Sequence, residues 1–262
     1  MKSTTTLRMR RACAGAVPMI TLLAGCLAPL TAALPNKMLS LDKAHERHVI
    51  LTRDDDVYEG FPDLCLLPSG KLLCLYRESD LHAFNWTRTL LRESDDRGRT
   101  WQERRVLTQM KMNLPRITRL SDGRLVVNGD VGHTNYLFWS NDDGKTWSKP
   151  QKTAIRGACP DRIVELKDGT LLCNVERGSG GLSQRVYRPD ALNLYQYRST
   201  DGGKTWHEFG LIFEDKIWGG CGEGATVQLA DGTLVCHIRN SAGYAYPSPK
   251  TFSRDGGKTW SP

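Results

Sequence analysis

Residues 253–262 read SRDGGKTWSP, and closely similar words occur three more times along the chain. The earlier copies are SDDRGRTW from Ser94, SNDDGKTW from Ser140 and STDGGKTW from Ser199. All four fit Ser-x-Asp-x-Gly-x-x-Trp, and their starts lie 46, 59 and 54 residues apart. Self-similarity at this period is typical of repeat architectures such as solenoids and propellers, so the chain is predicted to be built from structural repeats.

A second phrase recurs between these words and predicts β-hairpins. Its copies are LLPSGKLLCL, RLSDGRLVVN, ELKDGTLLCN and QLADGTLVCH, with turn glycines Gly70, Gly123, Gly169 and Gly232. A Ser-Gly or Asp-Gly step between apolar runs suits a hairpin turn, because such turns need a positive φ. The Ser-x-Asp word predicts a second hairpin, whose Ser and Asp accept hydrogen bonds from turn amides. Two hairpins make four antiparallel strands, which is typical of one propeller blade.

The four Ser-x-Asp words resemble the Asp-boxes of the sialidase (neuraminidase) superfamily. The resemblance covers residues 48–262 and implies an all-β fold, a β-propeller of the sialidase type with six blades, of which this chain holds about four. It also implies that one aspartate in each word has a structural role in its turn: Asp96, Asp142, Asp201 and Asp255. Because the last word lacks a following strand, residues 46–262 are predicted to form a propeller incomplete at the C-terminus. The alternative is a compact four-bladed protein in which residues 46–53 supply the outer strand.

The N-terminus is predicted to be an export signal. Arg8 to Arg11 precede a short apolar stretch, residues 12–25, that is too short to span a bilayer as a helix. Leu23-Ala24-Gly25-Cys26 resembles the lipobox of bacterial lipoproteins, so residues 1–25 are predicted as a lipoprotein signal peptide, Cys26 as the lipidation site and residues 26–45 as a linker. An ordinary secretory leader cleaved near residues 31–33 is the alternative. Either interpretation predicts a protein of the cell envelope, the periplasm or the exterior.

The charge balance gives no indication of nucleic-acid binding. The net charge is +7, but without the four basic residues of the leader 32 basic residues stand against 29 acidic ones. The basic residues form no run that would follow a phosphate backbone, and membrane contact is expected through a lipid anchor alone. No Cys/His cluster has zinc-site spacing, and no cofactor or metal is predicted.

The cysteines are predicted to be mainly buried thiols. Cys74, Cys173 and Cys236 each lie four residues after a hairpin glycine, which suggests one shared apolar position in three repeats. One disulfide remains open, between Cys65 and Cys74, because a two-residue turn would place them opposite each other.

A ring of charged side chains is predicted at one rim of the propeller. Seven residues after each hairpin glycine come Arg77, Asp130, Glu176 and Arg239. Seven strand residues span about 23 Å, so these side chains should lie on the rim opposite the hairpin turns. Mixed charge around a central funnel suits a ligand site, although strand ends are also charged simply because they meet solvent.

The resemblance to sialidases implies roles for two residues of blade four. Glu223 lies nine residues before Gly232 and Arg239 seven residues after it, as in the family's motif. Glu223 would accept the proton of a tyrosine nucleophile, and Arg239 would bind the carboxylate of the sugar. The chemistry needs both groups, because a phenol with a pKa near 10 is a poor nucleophile alone and a carboxylate suits a fork-shaped cation.

Blade one contains one further match and one departure. Residues 79–83, SDLHA, resemble the loop of the family's acid/base aspartate, which makes Asp80 a catalytic candidate and His82 a substrate contact. Sialidases begin their first strand with Tyr/Phe-Arg-Ile-Pro, whereas residues 59–62 here read Glu-Gly-Phe-Pro. Gly60 therefore stands in place of a carboxylate-binding arginine, and Arg77 and Arg116 are the candidates to replace it.

Taken with the leader, the resemblance implies an exported exo-glycosidase acting on a glycan. It would release a terminal sialic acid or a related acidic sugar with retention, using a tyrosine nucleophile and a third arginine expected in later blades. The alternative is a non-catalytic propeller that binds a glycan or a protein, and Gly60 favours it.

Overall fold

The structure, a computed structural model, describes residues 8–10, 45–178, 192–214, 221–240 and 247–261. Outside the blades, the described residues include a 3-10 turn, His45–Arg47, and a short antiparallel ladder. The ladder pairs β1 (Arg8–Arg10) with β2 (His48–Ile50). Within the described segments we find no helix with the length and apolar character needed to cross a membrane.

The other fifteen strands form four antiparallel sheets, each of which is one blade. Blade 1 contains β3 (Tyr58–Leu66), β4 (Leu72–Ser79), β5 (Thr87–Ser94) and β6 (Arg105–Thr108). Blade 2 contains β7 (Arg116–Arg119), β8 (Leu125–Val131), β9 (Thr134–Ser140) and β10 (Gln151–Arg156). Blade 3 contains β11 (Val164–Glu165), β12 (Leu171–Gly178), β13 (Leu192–Ser199) and β14 (His207–Glu214). Blade 4 has three strands in the described part of the chain: β15 (Cys221–Gln228), β16 (Leu234–Asn240) and β17 (Lys250–Ser253).

Strand order within every sheet follows chain order, so each blade is a simple meander. This arrangement confirms the predicted all-β propeller of the sialidase type, with four blades present. The alternative role of residues 46–53 as an outer strand of blade 4 is wrong for the described structure. His48–Ile50 pairs with Arg8–Arg10, and the neighbouring Leu51 packs into an apolar cluster of blade 1.

Each Asp-box turn follows the third strand of its blade and has the same internal hydrogen bonds. In blade 1 the Ser94 hydroxyl accepts a bond from the Gly98 amide at 2.8 Å, and Asp96 Oδ1 accepts one from the Thr100 amide at 2.9 Å. The Trp101 indole donates to the Gly98 carbonyl at 3.2 Å. The corresponding Ser-to-Gly and Asp-to-Thr bonds recur at the other three boxes, around Asp142, Asp201 and Asp255. The four aspartates therefore hold these turns together.

The Asp-box of one blade also contacts the blade before it, and this contact repeats at all three junctions. Arg105 of β6 donates to the Gly144 carbonyl at 2.9 Å. Gln151 of β10 donates to the Gly203 carbonyl at 3.1 Å, and Gln196 of β13 donates to the Gly257 carbonyl at 2.6 Å. We call these three bonds the junction contacts. They tie an outer or middle strand of one blade to the Asp-box of the next.

The apolar core lies mainly between neighbouring blades. One cluster joins blades 1 and 2 and includes Leu75, Leu91 and Phe138. A second joins blades 2 and 3, and two smaller ones join blades 3 and 4, one through Leu194 and Ile238 and the other through Leu172 and Leu234. Removal of these faces from water supplies the main favourable term for stacking the blades.

The predicted cysteine positions agree with the structure in three cases. Cys74, Cys173 and Cys236 are fully buried, and neither they nor Cys65 are in a disulfide in the described structure. The disulfide left open between Cys65 and Cys74 does not form, because Cys65 lies opposite Leu73 and Cys74 lies opposite Leu64. Cys26 and most of the predicted leader and linker lie outside the described residues, so those predictions stand as they were made.

Candidate functional site

The second strands of the blades carry four charged residues to one rim. Arg77, Asp130, Glu176 and Arg239 lie near the ends of β4, β8, β12 and β16. The hairpin turns and the Asp-boxes lie at the other rim, where Arg124, beside one hairpin glycine, donates to the carbonyl of Gly202 in the next Asp-box at 3.2 Å. We call the rim with the four charged residues the upper rim.

Glu223 lies on a β-bulge in the first strand of blade 4. Gly222 pairs with Arg239 and Gly224 pairs with Ile238, which leaves Glu223 without a partner in the ladder at a φ of 52°. A bulge re-aims a side chain, and here it brings the carboxylate to the guanidinium of the adjacent strand. Arg239 Nη1 donates to Glu223 Oε1 at 2.6 Å, with 57% of the arginine side chain and 32% of the glutamate side chain exposed. The two residues paired by the resemblance are therefore in direct contact.

Blade 1 carries the same bulge with a different side chain. Gly60 pairs with Arg77, the register then shifts, and Phe61 takes a φ of 56°. By position Gly60 corresponds to Gly222, Phe61 to Glu223 and Arg77 to Arg239. An aromatic ring therefore stands in blade 1 where a carboxylate stands in blade 4.

Arg77 is enclosed by aromatic rings and is fully buried. Its guanidinium carbon lies 4.5 Å from the ring centre of Phe61, 4.6 Å from that of Phe84 and 5.5 Å from that of Tyr58. Aromatic faces attract a cation, so the rings stabilise the buried charge. Burial lowers the pKa of Arg77 to about 10, against the opposing effect of nearby acidic groups.

The prediction that Arg77 replaces the arginine missing at Gly60 is not supported by this geometry. The guanidinium donates to the His82 carbonyl at 2.8 Å and to Asn113 Oδ1 at 2.9 Å. Because the side chain has no exposed surface, it cannot contact a ligand at the rim in this conformation. The count of seven residues predicted where the Cα atom lies, but not the direction of the side chain.

Glu176 supports the bulge that carries Glu223. Its Oε2 accepts a hydrogen bond from the Glu223 amide at 3.2 Å. Burial raises the pKa of Glu176, the hydrogen bond of the Cys159 thiol opposes this rise, and the charges of Glu223 and Asp130 add to it. Burial likewise raises the pKa of Cys159, and all three carboxylates raise it further. Carboxylates from blades 2, 3 and 4 thus gather around one thiol. Among the residues that the structure describes, no group of His, Cys, Asp and Glu is arranged to hold a metal ion.

Asp80 lies just after β4, as predicted, but its carboxylate is engaged in its own loop. Asp80 Oδ1 accepts a bond from the Asn85 amide at 3.0 Å, and Oδ2 accepts one from the Asn85 side chain at 2.8 Å. Burial acts to raise the pKa of Asp80, but the bonds from Asn85 and Trp86 outweigh it and the pKa is lowered. A lowered pKa disfavours a general acid at neutral pH. The catalytic role of Asp80 therefore stays a prediction.

Arg116 lies on β7 near the carboxylates of the inner strands. It lowers the pKa of both Asp63 and Asp161, although burial is the larger effect and raises the pKa of both, that of Asp161 to about 6. Asp63 Oδ2 accepts a bond from the Ile117 amide at 2.9 Å, which ties the first strand of blade 1 to that of blade 2. A substrate contact for Arg116 stays a prediction.

Several residues of the upper rim were missed by the sequence analysis, although the repeat contains a signal for them. Phe61 lies nine residues before its hairpin glycine, the same count that picks out Glu223. Asn113 and Cys159 lie ten residues before theirs. Asn113 links the blades, since its side chain accepts from Arg77 at 2.9 Å and lies 3.9 Å from the sulfur of Cys159.

Comparison with protein families agrees with this geometry. Residues 61–186 match the family model described as BNR repeat-like domain, and residues 197–208 and 251–262 match the BNR/Asp-box repeat. The blades and their turns define the chain as a BNR/Asp-box β-propeller. The matched segments and the fold make it similar to the BNR-repeat propellers. No curated protein sequence matches the chain significantly.

Solved structures with the same fold are distant in sequence. A Dyadobacter fermentans protein of unknown function is 19% identical with a TM-score of 0.63, and the match covers 80% of this chain and 70% of that one. Trypanosoma rangeli sialidase, in complex with sialic acid, is 18% identical with a TM-score of 0.55 over 78% of this chain and 37% of that one. An α-L-arabinanase of Penicillium chrysogenum, complexed with arabinobiose, is 17% identical with a TM-score of 0.53 over 78% of this chain and 65% of that one. The chain thus spans well under half of the length of that sialidase.

Proposed function

We propose that this chain carries the sugar-binding rim of an exported exo-acting glycosidase that hydrolyses a terminal sugar of a glycan. The observation that carries the proposal is the contact between Glu223 and Arg239 at 2.6 Å, set up by the bulge at the mouth of the propeller. Export as a lipoprotein through Cys26 is part of the same proposal and rests on the leader sequence. Neighbours with this fold bind sialic acid in one case and arabinobiose in another, so the fold accepts both an acidic and a neutral sugar.

Each group at the rim has a defined task in this proposal. Glycoside hydrolysis needs a group that protonates the leaving oxygen and a nucleophile that attacks the sugar. Glu223 would accept the proton of the nucleophile's hydroxyl, and Arg239 would orient Glu223 while binding the sugar. Asp80 would act as the general acid once its loop releases the carboxylate from Asn85.

The class of sugar depends on which arginines the rim can offer to it. The resemblance suggests a terminal sialic acid or a related acidic sugar, held through its carboxylate by arginines. Gly60 supplies no such arginine and Arg77 is buried, so the predicted contacts with an accessible guanidinium in the described structure are Arg239, which is exposed, and Arg116, which is partly exposed. The proposal is therefore limited to release of a terminal sugar.

Hydrolysis of a panel of fluorogenic glycosides tests the proposal, with the 262-residue chain and any longer product of its gene. We expect turnover of at least one glycoside. We also expect Glu223→Gln to lower kcat by about 100-fold or more, the usual range for loss of a proton-transfer group, with KM little changed. Glu165→Gln, which removes a carboxylate that accepts bonds from Ser121 at the other rim, serves as the matched control. No turnover across the panel, or full activity in Glu223→Gln, would contradict the proposal.

A non-catalytic glycan-binding propeller is the second candidate, and the state of Asp80 favours it. A carboxylate held by Asn85 with a lowered pKa fits a loop cap better than an acid catalyst. This candidate predicts saturable glycan binding without product, and binding that survives Asp80→Asn. Release of free sugar by the wild-type protein would exclude it.

A further inference from the structure

We propose that the upper rim takes a sugar that carries no carboxylate, stacked on aromatic rings of blade 1 and hydrogen-bonded to carboxylates of blades 3 and 4. The inference rests on the proposed function, because it names the class of sugar for the same site. Four features support it. They are an aromatic surface, an adjoining set of acidic acceptors, the burial or pairing of the two rim arginines, and the position of the inner-strand cations near buried carboxylates.

The aromatic surface consists of the rings of Tyr58, Phe61 and His82. The ring centre of His82 lies 5.6 Å from those of both Tyr58 and Phe61, and these two lie 6.4 Å apart. His82 is exposed, and the other two rings are partly exposed. Because the Arg77 guanidinium packs against Phe61 and Tyr58, the rings are fixed in orientation. Ring faces beside a few well-placed polar groups are typical of small-molecule sites, and they suit the apolar C–H face of a sugar.

The acidic acceptors adjoin this surface. Asn113 accepts from Arg77 at 2.9 Å, and its amide donates to the Asp130 carbonyl at 2.8 Å. The Asn113 side chain also contacts the Cys159 sulfur, and the Cys159 thiol is hydrogen-bonded to Glu176. The Glu176 carboxylate in turn accepts a bond from the Glu223 amide. Contacts through Asn113 and Cys159 therefore connect Arg77, which packs against the rings of blade 1, with the carboxylates of blades 3 and 4. Hydroxyl or ammonium groups of a sugar are the donors that such acceptors need.

The two rim arginines offer little free positive charge to an anionic ligand. The Arg77 guanidinium is enclosed, and that of Arg239 is already paired with Glu223 at 2.6 Å. A sugar carboxylate bound by the remaining N–H groups of Arg239 would lie beside the carboxylate of Glu223. Like charges at such short range repel strongly in a partly desolvated site.

The other cations of the inner strands lie near buried carboxylates. Arg162 forms an ion pair with Asp63, and Arg116 lies near Asp63 and Asp161. The charge pattern therefore favours an amino sugar over a neutral sugar, and a neutral sugar over a uronic acid.

Saturation-transfer NMR with matched methyl glycosides tests this order of sugar affinities in the wild-type chain. The panel contains glucose, glucosamine and glucuronic acid together with the corresponding galacto series. We expect the neutral or amino sugar of at least one series to bind about tenfold more tightly than its uronic acid. Uronic acids that bind as tightly as their neutral partners, or more tightly, in both series would overturn the inference and leave the proposed function standing. If no sugar of either series binds, this inference fails, whereas hydrolysis of the fluorogenic glycosides still decides the proposed function.

Two variants separate the aromatic and acidic contributions. Phe61→Ala should weaken binding of the preferred sugar by about tenfold, the scale of a lost aromatic contact, whereas Leu66→Ala, with 64% of the side chain exposed on the same strand, should leave it unchanged. Glu176→Gln should reduce the ratio between the affinity for the preferred sugar and that for its uronic acid. Asp122→Asn at the other rim should leave this ratio unchanged. Unchanged affinity in folded Phe61→Ala, or an unchanged preference in Glu176→Gln, would contradict the corresponding part of the inference. If a variant fails to fold, the wild-type panel still decides.

Discussion

At the scale of single residues, the upper rim shows how one substitution at an equivalent position changes the role of its neighbour. The bulge presents a carboxylate at Glu223 and a ring at Phe61, so Arg239 forms an exposed ion pair whereas Arg77 is buried under aromatic side chains. The repeat count predicted that Glu223 and Arg239 would meet. It could not predict the burial of Arg77, because the enclosing rings of Tyr58, Phe61 and Phe84 come from separate segments that meet only in the folded blade.

The Asp-box aspartates provide a prediction about pH. The Thr146 hydroxyl and amide, with a smaller contribution from Ser140, lower the pKa of Asp142 from 3.8 to about 2. A lowered pKa in the folded state means that the unfolded chain binds the proton more readily. The carboxylate therefore contributes stability above about pH 4 that is lost as the pH falls towards 2.

We expect Asp142→Asn to lower Tm by a few degrees at pH 7 and by progressively less between pH 4 and pH 2. Thermal melts across this range, followed by circular dichroism, measure the effect. Glu103→Gln removes the same charge at an exposed position and should show neither change. A difference in Tm that does not depend on pH would show that the carboxylate charge is not the stabilising feature.

At the scale of strands and turns, the sequence predicted the hairpins and their order but misplaced one register. The alternating runs around the glycines gave the first two strands of each blade, because their apolar faces must meet the neighbouring blades. The disulfide left open between Cys65 and Cys74 assumed a two-residue turn. In the structure the Leu67 amide donates to the Lys71 carbonyl and the Gly70 amide donates to the Leu67 carbonyl, so the loop holds three residues and the register moves by one. A shift of one residue turns a side chain to the opposite face.

The glycines of turns are not equivalent, and a pair of variants measures the difference. Gly203 and Gly169 both have a positive φ, of 91° and 81°. A Cβ at Gly203 would lie 2.5 Å from Trp139, which is held by its bond to Gln151 at 2.9 Å, whereas a Cβ at Gly169 would meet no atom within 4 Å.

Gly169→Ala should therefore cost about 1 kcal/mol of backbone strain, and Gly203→Ala about 2 kcal/mol more from overpacking. Urea denaturation of both variants gives the two free energies of unfolding. Equal losses would mean that Trp139 moves aside freely and that the close approach does not constrain this junction.

At the scale of the whole molecule, stability is expected to be uneven across the blades. Among the described residues, large buried clusters join blades 1, 2 and 3, whereas two small ones join blade 4 to blade 3. Blade 4 also exposes Val227, Leu229 and Phe252 on its strands and following turn, with 55%, 44% and 37% of their surface accessible. The sequence predicted the repeating blades because each repeat carries its own turn signals. It could not rank their stabilities, because these depend on surfaces that two repeats bury together.

Hydrogen exchange tests this ranking in the native protein. Amides of β16 should exchange at least about tenfold faster than those of β8, because local opening of blade 4 exposes less buried apolar surface. Mass spectrometry of peptides from both strands measures the two rates under identical conditions. Equal protection of β8 and β16 would mean that the chain opens as one cooperative unit.

The junction contacts have a consequence for how such a chain can change in length. Each of the first three repeats supplies a donor side chain towards the following blade, and the last three supply an Asp-box carbonyl towards the preceding one. A repeat from the middle of the chain therefore contains both halves of the interface. Tandem duplication of a gene segment that encodes 46 to 59 residues would insert a blade that brings both a donor for the following Asp-box and a carbonyl for the preceding blade. The number of blades can then change while each junction keeps both partners of its hydrogen bond.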